Sequence, residues 1–426
     1  MYTHQVRLCY VECDKRYLVQ DSEELSFSHP YNNCDRMIGK EDIEQKIHEI
    51  FLACRKQPYL PPGLFSGQAG LCLFLYMYYK HTKEEEAFSA FQDSLTEMIE
   101  GIYSFDNLFF ANGVSGAAWL LDFLYREEAV SSDVLEMVDG LDGFIESHLD
   151  VHQEVSDFMH GSLGSAFYFT QREKVDVVQK IFSILFEDSQ EGDDLYWISK
   201  IYDEDHSSSD VVNLSLAHGS AAIISIISKF LSRQTTADHP ELQDRLTRVI
   251  NFLKHTKSKG PANVYPGHCF FNEKGELENA YARLSWCYGE MGIGQAFWQA
   301  GTSLAESSYQ EEAIDIYRNT LQRKTLEDAG INDAGLCHGT AGLVHMYNRM
   351  YYNTGLAEFR EAADNWVEQT LKVATFDDGL AGYKTWYQPN WVPEYSLLGG
   401  VSGVGLSLLS HLNQDCAAWD ECLLLS

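Results

Sequence analysis

Two kinds of apolar pattern alternate along the chain. Segments with apolar residues near positions i, i+3, i+4 and i+7 are typical of amphipathic helices on a protein surface. Each is followed by a segment that is apolar on nearly all sides, such as GLCLFLYMYY at 70–79, which predicts a helix buried on every face. The amphipathic segments occupy 40–57, 84–104, 132–149, 175–189, 241–258, 309–325 and 356–374.

A short glycine motif stands before each buried segment. It consists of one variable residue followed by Gly-x-x-Gly, and its seven copies begin at Ser66, Asn112, His160, His218, Tyr288, His338 and Gly399. The fourth copy ends in Ala222 where the others have glycine. Such a repeat indicates a closed or stacked architecture. We therefore predict an all-α fold, an (α/α)7 toroid with seven outer and seven inner helices, whose glycines let backbones approach closely where inner helices begin.

The repeat also bears on domain organisation. It assigns 36–426 to a single toroidal domain, whereas 1–35 fit no repeat and are expected to pack on the outside of the toroid. Three long connections, 190–215, 259–282 and 375–396, interrupt the pattern, and the second has a partly extended character. Long loops in compact domains are usually functional or mobile.

The charge of the chain narrows the classes of partner. A formal net charge of −32 argues against a nucleic-acid-binding protein, which requires basic patches. This negative charge would either attract a basic peptide or serve only to keep the protein surface solvated. The N-terminus lacks the pattern of a secretory signal, and the apolar segments are too short to cross a bilayer. We expect a soluble cytoplasmic protein that is not an integral membrane protein, with its ten cysteines reduced.

Two cysteines occupy the same repeat position. Cys287 precedes Tyr288 and Cys337 precedes His338, so the two thiols lie at equivalent points of neighbouring repeats. Two thiolates and the imidazole of His338 would form a three-ligand zinc site with an open fourth position, as catalytic zinc sites have. A soft ligand such as a substrate thiol would suit that position. The alternative is a pair of buried thiols next to a hydrogen-bonded histidine.

The residue before the first glycine of each motif is expected to line a common space at the centre of the toroid, here called the mouth. Four further residues are candidates for its chemistry. His218 holds in repeat four the position that His338 holds in repeat six, and it could transfer a proton there. Asp157 could orient His218, or it could cap a helix. Arg283 could stabilise an oxyanion, or it could form an ordinary loop ion pair. Tyr288 lines the mouth, as does His160, for which the sequence indicates no role.

The motifs RLSWCYGEMGIG at 283–294, GLCHGTAG at 335–342, SLAHGSAA at 215–222 and SDFMHGSLG at 156–164 resemble those of the lanthionine synthetase C-like family. The resemblance extends over essentially the whole chain. One departure is Met291, which precedes Gly292 where familiar cyclases often have proline. By this resemblance Cys287, Cys337 and His338 match the family's zinc ligands. His218 matches its catalytic histidine, and Asp157, Arg283 and Tyr288 match its other site positions.

The resemblance implies a standalone lanthipeptide cyclase that binds one zinc ion per chain. It would add cysteine thiols of a dehydrated precursor peptide to dehydroalanine or dehydrobutyrine, giving lanthionine or methyllanthionine rings. Its expected partners are that peptide, a separate dehydratase and an export transporter, through which it could associate peripherally with a membrane. Alternatives are the addition of glutathione to dehydroamino acids in proteins, a non-catalytic peptide-binding scaffold, and a glycosidase-like toroid built from six hairpins.

Overall fold

The computed structural model describes residues 38–202, 208–234, 239–258, 265–272, 277–279 and 282–426. The predicted segment 1–35 lies outside them. Seven inner helices follow the glycine motifs: Gln68–Thr82, Val114–Arg126, Ser162–Gln171, Ser220–Arg233, Glu290–Ser303, Thr340–Thr354 and Val401–Leu412. Seven outer helices alternate with them in the described chain: Lys40–Cys54, Glu85–Ile102, Asp133–His148, Val175–Glu187, Pro240–His255, Ser307–Thr320 and Ala357–Lys372. A short helix, Leu326–Ala329, and two 3-10 segments, Gln414–Cys416 and Ala418–Leu423, complete the helical elements of the ranges described.

Contacts between helices close these elements into a ring. Each of the first six inner helices packs against the outer helix that follows it in the chain. The last inner helix, Val401–Leu412, packs against both the first inner helix, Gln68–Thr82, and the first outer helix, Lys40–Cys54. The (α/α)7 toroid predicted from the repeat is therefore confirmed, and every predicted outer helix lies within a few residues of its observed bounds. That 36–426 form a single domain stays a prediction. Within the described ranges, no helix combines the length and apolarity needed to cross a bilayer.

The turn before each inner helix explains the glycine motif. A methylene group added at Gly116, the second glycine of its copy, would lie 2.1 Å from the carbonyl oxygen of Phe110 and 2.8 Å from Cβ of Leu64 in the preceding repeat. Gly70 makes the same kind of contact with Leu64 and Leu397. Each of these glycines thus packs directly against a leucine Cβ of the neighbouring turn, and a side chain at its position would force the turns apart. At Gly289 the backbone also adopts a φ of +130°, which side chains rarely tolerate.

Backbone hydrogen bonds join these turns around the ring. The Phe65 amide donates to the Ala111 carbonyl at 2.6 Å, and the Cys337 amide donates to the Leu398 carbonyl at 2.9 Å. The Leu398 amide in turn donates to the Phe65 carbonyl at 3.1 Å, which closes the ring across the first and last repeats. Phe65, which belongs to this ring of turns, also forms edge contacts with Phe110, Phe158 and Trp286. All four side chains are buried, so aromatic rings pack closely where the turns meet.

The long connections contain strands that the sequence analysis left mostly as loops. Strands β3 (Ile198–Tyr202), β4 (Ser208–Asn213), β5 (His268–Phe271) and β6 (Leu277–Asn279) form one antiparallel sheet in that order. Two hairpins accompany it, β1 (Gln190–Glu191) with β2 (Leu195–Tyr196), and β7 (Thr385–Tyr387) with β8 (Asn390–Val392). The partly extended character expected for 259–282 is confirmed by β5 and β6. The other strands are mostly short and pair with the next strand in the chain, except that β4 also pairs with the distant β5. Runs this short show too little alternation to be recognised as strands from the sequence.

A buried histidine of the last inner helix makes the stability of the fold depend on pH. The His411 side chain is buried, and the Arg360 guanidinium donates to its Nε2 at 3.0 Å. Burial, and then the charge of Arg360, lower the pKa of His411 to about 3, although Asp364 lies 3.4 Å away. The unfolded chain, with a histidine pKa of about 6.5, therefore binds a proton that the folded chain does not.

We expect His411 to reduce the free energy of unfolding as the pH falls from about 6.5 toward 3, by about 1.4 kcal/mol per pH unit. Above pH 6.5 this histidine is neutral in both states and contributes no slope. Urea unfolding of the parent protein and of His411→Asn at pH 7, 6 and 5 measures the effect, with the exposed His152→Asn as a control. Parallel stability profiles for the parent and His411→Asn would contradict it.

Candidate metal and acid–base site

The two cysteines predicted as metal ligands meet where repeats five and six join. The amides of Trp286 and Cys287 both approach the Cys337 carbonyl, at 3.0 and 3.5 Å. This places the two thiols side by side, with Cys287 buried and Cys337 partly exposed. Repeat equivalence predicted that arrangement, because equivalent turns are hydrogen-bonded neighbours around the ring.

His338 completes this group. Its Nδ1 lies 3.9 Å from the Sγ of Cys287. One ligand atom from each of Cys287, Cys337 and His338 lies within 4.8 Å of the other two. Ser285 supports the turn, since its Oγ lies 3.8 Å from the Cys287 sulfur and accepts a hydrogen bond from the Tyr288 amide at 3.2 Å. The cluster thus stands on a turn that backbone hydrogen bonds hold in place.

Two other cysteines of the described chain are buried away from this cluster. Burial raises the pKa of the Cys54 thiol to about 12, and that of Cys269 to about 12 as well. Such thiols stay protonated and behave as small apolar side chains. Cys54 and Cys269 therefore fit the expectation of ordinary reduced thiols, whereas Cys9, Cys13 and Cys34 lie outside the described residues.

Repeats three and four bring Asp157 and His218 together. The Asp157 Oδ2 lies 2.7 Å from the His218 Nδ1, and both side chains are about 95% buried. Oδ1 of the same carboxylate accepts the backbone N–H of His160 at 2.7 Å. Asp157 does not cap a helix, since the following helix begins at Ser162 behind Gly161. It closes a turn with one oxygen and contacts His218 with the other, which is the contact expected from the sequence.

Electrostatics favour the ionised form of this carboxyl group. Burial alone would raise the pKa of Asp157, but the charge of His218 and its hydrogen bond, with a smaller effect of His160, lower it below the usual range. Asp157 is therefore a carboxylate at neutral pH. A buried carboxylate fixes the orientation of a histidine ring and favours its protonated form.

The remaining predicted residues border these two groups. The Tyr288 ring lies 5.8 Å from the His218 ring, and its hydroxyl accepts a hydrogen bond from Asn213 at 3.3 Å. Arg283 lies on the segment that leads into Cys287, and its side chain is partly exposed. Its carbonyl oxygen packs 2.5 Å from the place that a Cβ of Gly289 would occupy. Tyr288 thus connects the metal-ligand candidates to the acid–base pair.

One set of residues that shapes the mouth escaped the sequence analysis. Six positions before the first glycine of their motifs, Asn107, Asn213 and Asp333 each accept a hydrogen bond from the backbone amide two residues later. Their own carbonyls pack against the glycine, as that of Arg283 does against Gly289. Asparagine and aspartate favour such turns. Because asparagine or aspartate recurs at the same offset in three copies of the motif, the sequence contained a pattern from which these turns could have been predicted.

An aromatic hairpin also lies near the seventh motif. Strand β7 is anchored by the Thr385 hydroxyl, which donates to the Gly399 carbonyl at 2.6 Å, and by the Trp386 amide, which donates to Asp333 at 2.9 Å. The Trp386 and Trp391 rings lie 5.1 Å apart, and Trp391 is partly exposed. Gly399 follows Leu398, which accepts from the Cys337 amide, so the hairpin borders the cysteine cluster.

Comparisons with known proteins agree with this fold. "Nisin biosynthesis protein NisC" from Lactococcus lactis subsp. lactis is 21% identical over 349 residues, which cover 79% of this chain and 75% of that protein. The structure resembles that of "Nisin cyclase" with a TM-score of 0.70 and 18% identity, covering 91% of this chain and 97% of that one. Residues 58–424 match the family described as "Lanthionine synthetase C-like protein". The chain therefore belongs to the lanthionine synthetase C-like protein family.

Proposed function

We propose that this protein is a zinc-dependent lanthipeptide cyclase that closes thioether rings in a dehydrated precursor peptide. The observation that carries the proposal is the donor set of Cys287, Cys337 and His338 within 4.8 Å, next to a motif whose tyrosine contacts the Asp157–His218 pair. The names of the similar proteins, a nisin biosynthesis protein and a nisin cyclase, support the peptide substrate.

The residues present fit a zinc ion. Tetrahedral zinc with Zn–S bonds of about 2.3 Å and Zn–N bonds of about 2.0 Å places sulfur and nitrogen ligands roughly 3.6 Å apart. The separation of 3.9 Å between Cys287 Sγ and His338 Nδ1 needs little adjustment to meet that geometry. Two thiolates and one imidazole would hold the ion and leave one position open. When bound, zinc supplies a positive charge that lowers the pKa of a substrate thiol at that position.

The residues around the cysteines suit the proton transfers of the reaction. The substrate thiolate forms a bond to the β-carbon of the dehydroamino acid, and the electron pair of the alkene moves toward the adjacent carbonyl oxygen. We assign stabilisation of that oxygen to Arg283, aided by Tyr288. We assign to the Nε2 of His218 the proton that the α-carbon then receives. Asp157 holds the His218 ring by its Nδ1 and stabilises the protonated imidazole.

The surroundings of the mouth suit an extended peptide. The hairpin of β7 and β8 presents Trp386 and Trp391 beside the cysteine cluster, and aromatic side chains contribute apolar contact area for a flexible chain. We propose that the precursor crosses this hairpin on its way to the cluster. We further propose a cytoplasmic location and a separate dehydratase that supplies the alkenes, with an export transporter as an additional partner.

A ring-closure assay tests the function. A synthetic peptide with one dehydroalanine and one cysteine four residues apart is incubated with the zinc-loaded protein, and free thiols are then alkylated. We expect the mass of the peptide to stay unchanged while its reactive thiol disappears. Peptide that keeps its thiol would contradict the cyclase, and a mass increase with glutathione in the mixture would favour the glutathione-adding alternative.

A further inference from the structure

A second cluster of possible metal ligands lies in the same mouth. Asp157, His160 and His218 each offer one ligand atom, and these atoms lie within 4.8 Å of one another. Their exposed fractions are only 4%, 9% and 5%, so all three are held in the packed turns of repeats three and four. The proposed cyclisation assigns roles to Asp157 and His218 but uses no side-chain atom of His160.

The His160 imidazole carries an unmet hydrogen-bonding capacity. Its Nδ1 is buried and has no hydrogen-bond partner among the residues that the structure describes. Buried polar atoms without a partner are uncommon, and one at a functional mouth calls for a ligand. Phe109 packs edge-on against the ring, with 5.8 Å between the centroids, and restricts its orientation.

The two imidazoles have a separation that suits a shared ion. Their ring centroids lie 5.7 Å apart, with an angle of 16° between the planes. Two histidines that share a zinc ion with Zn–N bonds of about 2.0–2.1 Å place their centroids roughly 5–6 Å apart. Asp157 and His218 are 2.7 Å apart and would open by roughly half an ångström to admit the ion in place of their shared proton.

We propose that Asp157, His160 and His218 form a second, weaker zinc site, distinct from the cluster of Cys287, Cys337 and His338. Two imidazoles and one carboxylate are donors that zinc accepts, and the carboxylate offsets part of its charge. The site requires His160. The equivalent position is also a histidine in two other glycine motifs, at His218 and His338, and is serine, asparagine, tyrosine or glycine in the remaining four.

Occupation of this site would inhibit ring closure, a consequence that rests on the proposed function. The ion would take the Nδ1 of His218 and the Oδ2 of Asp157, and a ring that holds a metal ion at Nδ1 cannot become the imidazolium that donates a proton from Nε2. Zinc at one equivalent would then support the reaction, whereas excess zinc would suppress it. The rate of ring closure would thus depend on the zinc concentration, because His160 lies beside the Asp157–His218 pair and completes the inhibitory site.

Cobalt titration of the metal-free protein separates the two sites. Thiolate ligands give Co²⁺ a strong charge-transfer absorption in the near ultraviolet, whereas a site of nitrogen and oxygen ligands does not. We expect equilibrium dialysis to show two bound ions per chain, with the thiolate band complete after the first. Saturation at a single ion would overturn the second site, and absence of the thiolate band would instead overturn the cysteine site.

Two variants of His160 make the assignment specific. His160→Asn and the larger apolar His160→Phe should each bind a single cobalt ion with a full thiolate band, and circular dichroism reports whether each is folded. With one equivalent of zinc, His160→Asn should cyclise peptide at the parent rate. It should also need at least about tenfold more zinc for half-inhibition than the parent protein. A folded variant that still binds two ions would contradict the proposal.

Discussion

Replacing Cys337 with alanine should remove the bound zinc and lower the rate of ring closure by at least about a hundredfold. The thiol is one of three proposed ligands, and two remaining donors hold a borderline-soft ion poorly in competition with a chelator. The helical core should be unaffected, because Cys337 is partly exposed and its turn is fixed by backbone hydrogen bonds to Leu398 and Trp286.

Elemental analysis after dialysis against a mild chelator measures the metal, and the ring-closure assay measures the activity. The expected parent value is about one zinc per chain. Cys269→Ala is a matched control, because it removes a buried thiol from strand β5 without touching the cluster. A parent protein without zinc, or a Cys337→Ala variant that keeps its zinc and its activity, would refute the metal site.

Replacing His218 with asparagine should slow ring closure by about a hundredfold or more while the protein keeps one tightly bound zinc. The reason is that its imidazole, held by Asp157 at 2.7 Å, is the proposed proton donor and is not a ligand of the cysteine cluster. Asp157→Asn should also slow the reaction, because the neutral amide keeps the backbone contact to His160 but loses the charge that stabilises protonated His218.

The control for this experiment is His160→Asn, which changes the neighbouring imidazole and should leave the rate intact at one equivalent of zinc. Single-turnover assays with saturating peptide, run next to zinc analysis, distinguish the roles. Loss of the tightly bound zinc in His218→Asn would make that histidine a metal ligand. An unchanged rate would remove it from the reaction and direct attention to Arg283 and Tyr288.

The sequence determined most of the helical architecture. Apolar periodicity separated amphipathic outer helices from all-apolar inner ones, because burial on one side or on all sides leaves different patterns. The glycine motif counted the repeats and marked the start of each inner helix. It also placed Cys287 and Cys337 at one repeat position, from which their proximity followed. Strands β3 and β4 were missed although they pair with each other, because they lie in an acidic, serine-rich segment without a clear alternation of apolar residues, and β4 is also held by the distant β5.

Tertiary structure alone decided how the site residues face one another. Spacing placed Asp157 near the mouth, but only the fold shows that its two oxygens serve His218 and the His160 amide. No sequence pattern revealed that the Nδ1 of His160 is buried and has no hydrogen-bond partner within the described part of the chain, or that its ring lies 5.7 Å from that of His218. Repeats fix which turns are neighbours, because each turn hydrogen-bonds to the next. The direction of each side chain depends on its packing against residues distant in the chain, such as Phe109 and Tyr288. Only the folded protein specifies that packing.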